Sequence, residues 1–165
     1  MREYRYTAET EKFFEYARML DGAQGELTSA GFMVASVDFL TRDFGERDEE
    51  LYICVSAFLP GECVDIREFR RLLTESMTSP KSERDQKYDR AYIEAVIADA
   101  DFMAEKQGRE CITPKDVFLC IITRRDKVTQ ECFLRSKTWH TELSFTERMR
   151  VFNEGRENNP EGMEV

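Results

Sequence analysis

Apolar residues along the chain recur three, four and seven positions apart almost throughout, the spacing that shares one face of a helix with 3.6 residues per turn. No clear run of alternating apolar and polar residues predicts a strand, so the expected fold class is all-α. A first helix is expected over about residues 8–23, with Phe13, Phe14, Ala17 and Leu20 on one side and Gly22 and Gly25 suited to its end. A second, shorter helix is expected from near Ser36, holding Phe39, Leu40 and Phe44 before Gly45 stops it. The third, about 47–58, lines up Leu51, Cys54, Val55 and Phe58 and breaks at Pro60-Gly61. In the fourth, Asp65 is the N-cap with Glu68 three residues on, a capping-box arrangement. Ile66, Phe69 and Leu73 then run inward until the helix ends near Met77.

Residues 78–84, TSPKSER, are polar, contain a proline and lack apolar anchors, so they predict a linker dividing the chain. Beyond it, about 85–107, Ile93, Val96, Ile97, Ala100, Met103 and Ala104 line one helical face, with Glu94, Asp99, Asp101 and Glu105 largely opposite, and Gly108 terminates the helix. The run ITPKDVFLCII starts another helix: Thr113 caps, Pro114 fits the first helical position, and Asp116 sits near the positive helix end. A seventh helix is expected at about 127–136 through Val128, Cys132 and Phe133. An eighth, capped by Ser144 ahead of Glu147, would bury Phe145, Met149 and Phe152 and end at Gly155. The two halves thus share an order of elements, and Ala17 and Leu20 before Gly25 match Ala100 and Met103 before Gly108. The expected organisation is a first repeat over 1–77, a linker over 78–84, a second repeat over 85–152 and a flexible tail over 153–165.

A hydrophobic fraction of 41% with twelve Phe supplies a core for a domain of 165 residues despite 35% charged residues. The net charge of -9 opposes phosphate backbones and anionic membrane surfaces, which argues against nucleic-acid and membrane partners. No apolar run approaches the roughly 20 residues of a membrane span, and no signal-peptide pattern follows Met1, so a cytoplasmic protein is expected. Cys54, Cys63, Cys111, Cys120 and Cys132 form no CxxC pair and are expected as reduced, mostly buried thiols. There is no GxxxxGK followed by Ser or Thr to cradle a nucleotide, and a single histidine, His140, excludes histidine-rich metal sites. The carboxylates fit solvated helix faces. No catalytic residue, cofactor or metal is therefore assigned.

The stretch over residues 88–137, from YDRAYIEAVIADADFMAEKQG through ITPKDVFLCII, resembles the second repeat of the Clp N-terminal domain, the helical double repeat at the front of AAA+ Clp unfoldases, with the ClpA-like branch nearest. Its mark is a long alanine-bearing helix, a glycine turn and a Thr-initiated helix, here Thr113 followed by Val117, Phe118, Leu119, Cys120 and Ile121. YTAETEKFFEYARMLDGAQGE, SVDFL and VDIREFRRLL resemble the first repeat, with Ser36 and Asp38 near the usual Thr and Glu. The resemblance implies two tandem pseudo-symmetric four-helix repeats that recruit unfolded or tagged substrates, or an adaptor protein, to the ATPase modules of a parent hexamer. In some relatives an acidic residue after the helix-starting Thr contributes to recognition of phosphorylated arginine. Lys115 stands about there in the second half and Asp38 in the first.

Protein-contacting surface is expected between the two lobes. The candidates are Phe32 and Met33 in the first loop, Asp38, Lys115, and the Trp139-His140 segment, each chosen because loops and helix starts tend to be exposed. Two other readings stand beside recruitment to an unfoldase: a free-standing helical interaction protein, and a small enzyme using a carboxylate or cysteine in a polar pocket.

Overall fold

Thr7 opens the first helix by accepting a bond from the Thr10 backbone N–H, and the helix then buries Phe13, Phe14 and Ala17. The structure, a computed structural model, describes residues 3–21, 25–41, 49–61 and 64–137. Among these it contains the helices α1 (Ala8–Leu20), α2 (Ser29–Thr41), α3 (Glu49–Gly61), α4 (Ile66–Thr78), α5 (Glu83–Lys106), α6 (Pro114–Thr123) and α7 (Lys127–Arg135). The described fold is therefore all-helical. Its only extended pairings are isolated bridges, parallel between Tyr6 and Ile112 and antiparallel between Val64 and Lys137. The expected eighth helix and tail lie outside the described residues, and no described helix is long and apolar enough to cross a membrane.

The largest departure from the expected pattern is α2. The chain turns helical at Ser29 rather than near Ser36, with Thr28 as its opening residue: the Thr28 hydroxyl accepts from Gly31 N–H and the Thr28 carbonyl from Phe32 N–H. Residues 29–39 are all buried, so this helix is apolar all round and has no polar face to reveal its period. It packs against α1, α3, α4, α6 and α7 and forms the centre of the molecule. Gly31 is fixed by that closeness, because a β-carbon there would lie 3.0 Å from the Ala17 carbonyl oxygen.

Elsewhere the signals in the sequence set the elements with small shifts. α3 runs through Pro60 to Gly61, and its inward residues are Leu51, Val55 and Leu59, while Cys54 and Phe58 are half-buried. Asp65 caps α4 by accepting from Glu68 N–H, but Glu68 turns its carboxylate to Arg71 instead of completing a capping box. The stretch between α4 and α5 is residues 79–82, since Ser82 caps α5 and that helix starts two residues earlier than expected. α5 buries Tyr92, Ile93, Val96, Ala100 and Ala104, together with Asp101, which the sequence pattern put on the outer face; Ile97 is half-buried. Gly108 takes φ +72°, the left-handed conformation that closes a helix, and Gly25 takes φ +60° after α1. The Thr113 capping box on α6 is complete: Thr113 Oγ1 accepts from Asp116 N–H and the Asp116 carboxylate accepts from Thr113 N–H.

The two halves of the chain interlock. α2 touches α6 and α7, α3 touches α6, and α4 packs on α7 through Phe69 and Phe133, stacked with ring centroids 4.4 Å apart. One core cluster runs from Phe13 to Phe133. Main-chain and side-chain bonds cross between the halves as well. Thr7 N–H and the Thr10 hydroxyl both donate to the Ile112 carbonyl, Ile112 N–H donates to Arg5, Asp65 N–H donates to Ser136, and the Ser29 hydroxyl donates to Asp126 at 2.5 Å.

Candidate protein-binding surface

Among the described residues, the expected contact residues do not come together on a surface. Phe32 and Met33 stand in α2 with no exposure at all, so they hold the core and offer nothing to a partner; the expectation that they belong to a loop is corrected by the earlier start of α2. Asp38, at 1% exposure, lies in α2 well after its first turn and is likewise inward. Its Oδ1 accepts from Arg70 Nε at 2.6 Å, and its Oδ2 accepts from Arg70 Nη2 at 2.9 Å and from the Tyr16 hydroxyl at 2.5 Å. Such a carboxylate is a buried structural anion, and its hydrogen bond to Arg70 raises the pKa of that guanidinium. Lys115 is half-buried in the first turn of α6, close enough to Cys54 for its charge to oppose the rise that burial gives that thiol. Trp139 and His140 lie outside the described residues.

The second buried ion pair joins a loop to a helix start. Arg109 Nη1 and Nη2 donate to the two oxygens of Asp116 at 2.7 and 2.8 Å, while the same carboxylate accepts from Thr113 N–H. Burial raises the Asp116 pKa, but the bonds from Arg109 and Thr113 outweigh it and hold the carboxyl below its usual value. This Arg109 bridge ties the glycine turn to α6 and was missed in the sequence. Its signal was the fork-shaped donor seven residues before the N3 acid, a spacing that only the folded turn brings within reach.

Chemically, Cys54, Cys120 and Cys132 are subdued. Burial pushes Cys120 and Cys132 up to about 11 and raises Cys54, so all three are protonated at neutral pH. Among the described residues no group of His, Cys, Asp or Glu is arranged to hold a metal ion.

What the surface does offer is apolar residues at the ends of helices. Phe102 is 59% exposed beneath the Lys106 ammonium, which lies 5.1 Å from its ring, beside a groove of about 570 Å3 with Met103 and Cys120 on its floor. A second groove, about 380 Å3, opens between the α1–α2 loop, the end of α4 and the first turns of α5, with Leu20, Leu27 and Met77 among its walls. Both volumes fall within the roughly 300–1,000 Å3 of ligand clefts. The surface defines a helical molecule with shallow apolar grooves rimmed by charge. The chain matches no protein-family model, no curated protein and no solved structure.

Proposed function

We propose that this chain is a protein-recruiting helical double repeat similar to the Clp N-terminal domain, capturing substrates or an adaptor for a Clp-type ATP-dependent unfoldase without catalysis of its own. The observation that carries the reading is the recurrence of one junction. In each half an amphipathic helix with a fully buried alanine, Ala17 or Ala100, ends before a left-handed glycine, Gly25 or Gly108. Each glycine is followed by a threonine, Thr28 or Thr113, whose hydroxyl accepts from the N–H three residues on. The spacings differ, three residues from Gly25 to Thr28 and five from Gly108 to Thr113, but the shared order of buried alanine, left-handed glycine and capping threonine supports duplication of a helical unit, with α1–α4 as one repeat and α5 onward as the other.

The same equivalence makes Thr28, rather than Ser36, the helix-starting threonine of the first half. Ser29 and Ala30 follow it, and Pro114 and Lys115 follow Thr113, so neither start carries an acid in its next two positions. Phosphoarginine recognition through Asp38 or Lys115 therefore has no support, and general capture of polypeptide is the better reading. Shallow apolar grooves of modest area give weak, exchangeable binding, which suits handover to a motor.

Two measurements test the proposal. Reading the gene past Val165 should reveal a frame continuing into GxxxxGK followed by Ser or Thr; an immediate stop would favour a free-standing binding module. Fluorescence anisotropy of a labelled, reduced and carboxymethylated protein should rise on titration with this chain, and a flat titration would reject protein capture in either form.

A further inference from the structure

The recurring junction is filled on one side of the molecule and open on the other. Before Thr113, Ile112 uses both of its backbone groups on the extended segment ahead of α1: its N–H donates to Arg5 at 2.8 Å and its carbonyl accepts from Thr7 at 3.1 Å. That is one rung of parallel strand pairing. Leu27 holds the same place before Thr28, yet among the described residues its N–H and carbonyl make no hydrogen bond.

The reason lies in helix length. Counting back from the two glycines Arg90 stands where Thr7 stands, and counting back from the two threonines Tyr92 does; α5 is helical through both. α1 has 13 residues and begins just after Thr7, so an extended segment is free to pair. α5 has 24 and is still helical through Arg90, so its backbone is committed to its own helix. Arg90 does reach the neighbourhood, its guanidinium 3.6 Å from Glu26, but it brings a side chain and no strand. Leu27 lines the groove of about 380 Å3, together with Leu20, Met77, Pro80 and Arg90.

We infer that this groove captures an extended peptide segment of another protein by strand addition to Leu27, the segment repeating what Arg5–Thr7 do at Ile112. Strand addition takes its affinity from main-chain bonds and its selectivity from alternate side chains. The occupant's chemistry follows from the filled copy. There Tyr6 packs edge-on to Phe14 at 5.0 Å and Arg5 lies 3.6 Å from Glu110. In the open groove Leu20 and Met77 provide an apolar seat for an aromatic ring; Lys81 pairs with Asp89 and Arg90 with Glu26, which leaves the Asp21 carboxylate, bonded to the Glu26 N–H, to favour a basic neighbour. A second copy of this chain is a poor donor, because its own residues 5–7 are already paired with Ile112. The inference deepens the protein-capture reading and rests on it for the source of the segment.

The test is titration of the 15N-labelled full chain with the capped peptide Glu-Tyr-Arg-Tyr-Thr, the sequence of residues 3–7. Amide shifts should centre on Leu27 and Thr28. Methylating the threonine nitrogen, which removes the donor to the Leu27 carbonyl, should weaken binding about tenfold. Leu27→Pro, which removes the other donor, should do likewise, while Leu27→Ala should stay within about threefold because it keeps the backbone. If Leu27→Pro does not fold, the methylated peptide carries the test alone. Shifts centred elsewhere, indifference to methylation, or no shifts at millimolar peptide would each overturn the inference. A chain that captures unfolded protein but ignores the pentapeptide would sink strand addition and leave the recruiting function standing.

Discussion

Removing the Asp38 carboxylate tests whether it is a structural anion rather than a docking residue. Asp38 is 1% exposed and receives two bonds from Arg70 and one from the Tyr16 hydroxyl, whereas the Arg70 side chain keeps 33% of its exposure. Breaking a fully buried ion pair costs about 3–5 kcal/mol. Because water can re-solvate the Arg70 guanidinium, Asp38→Ala should cost less, about 2–3 kcal/mol. Arg70→Ala strands the more deeply buried partner and should cost about 3–4 kcal/mol by the same reasoning. The two changes share one interaction, so the double variant should be destabilised by less than the sum of the singles, by about 1–2 kcal/mol. Urea denaturation followed by circular dichroism, with the midpoint and slope read separately, measures all three. Additive effects, or an Asp38→Ala cost near zero, would refute the assignment and return Asp38 to the surface.

Three further outcomes follow from the packing. Phe69 is fully buried and stacked on Phe133, so Phe69→Ala should cost about 3–5 kcal/mol, while Ile97→Ala, at a half-buried position, should cost about 1–2 kcal/mol; thermal melts that rank them the other way would reverse the α5 face. Asp116 has its folded pKa depressed below 3.8, so its contribution to stability is present above that value and is lost as pH falls through the lower folded pKa. Stability measured from pH 5 to 2 should therefore fall less steeply in Asp116→Asn, and an unchanged slope would remove Asp116 from acid unfolding. Because the halves share one core, native-state hydrogen exchange should show α2 and α6 opening with the same free energy; α6 amides that stay protected after α2 has exchanged would show that the halves unfold separately.

The parts of the fold legible in the sequence were those with local chemistry. Thr113, Pro114 and Asp116 announce a helix start because cap, fixed φ and N3 acid each satisfy an end that has no intrahelical partner. Gly108 and the α5 stripe are legible for similar reasons, one conformational and one periodic. α2 was misplaced because SAGFMVASVDFLT has no polar face, and a helix surrounded on all sides gives periodicity nothing to contrast. That single error carried Phe32 and Met33 into a supposed loop and Asp38 to a supposed helix start. The Arg70–Asp38 and Arg109–Asp116 pairs were hidden for a different reason: a charge looks solvated in a sequence until its partner is known.

Where recognition can occur on this molecule follows from α2. A helix buried on every side must be surrounded, and α1, α3, α4, α6 and α7 all touch it, which draws the second half of the chain against the first. The apolar surface that two separate lobes would leave between them is consumed by that packing, as Phe58 against Phe118 and Phe133 illustrates. Arg125 then covers the same rings, its guanidinium carbon 5.5 Å from Phe58 and 4.7 Å from Phe133, so little of that seam is open to a partner. On the proposed reading, binding would fall to the two junctions, where α1 and α5, of unequal length, close differently over the loops that follow them. The shorter α1 frees a strand that seals Ile112, and the longer α5 leaves Leu27 unsealed. On the proposed duplication, unequal helix lengths would account both for the shared core of the described residues and for the unpaired main chain at Leu27.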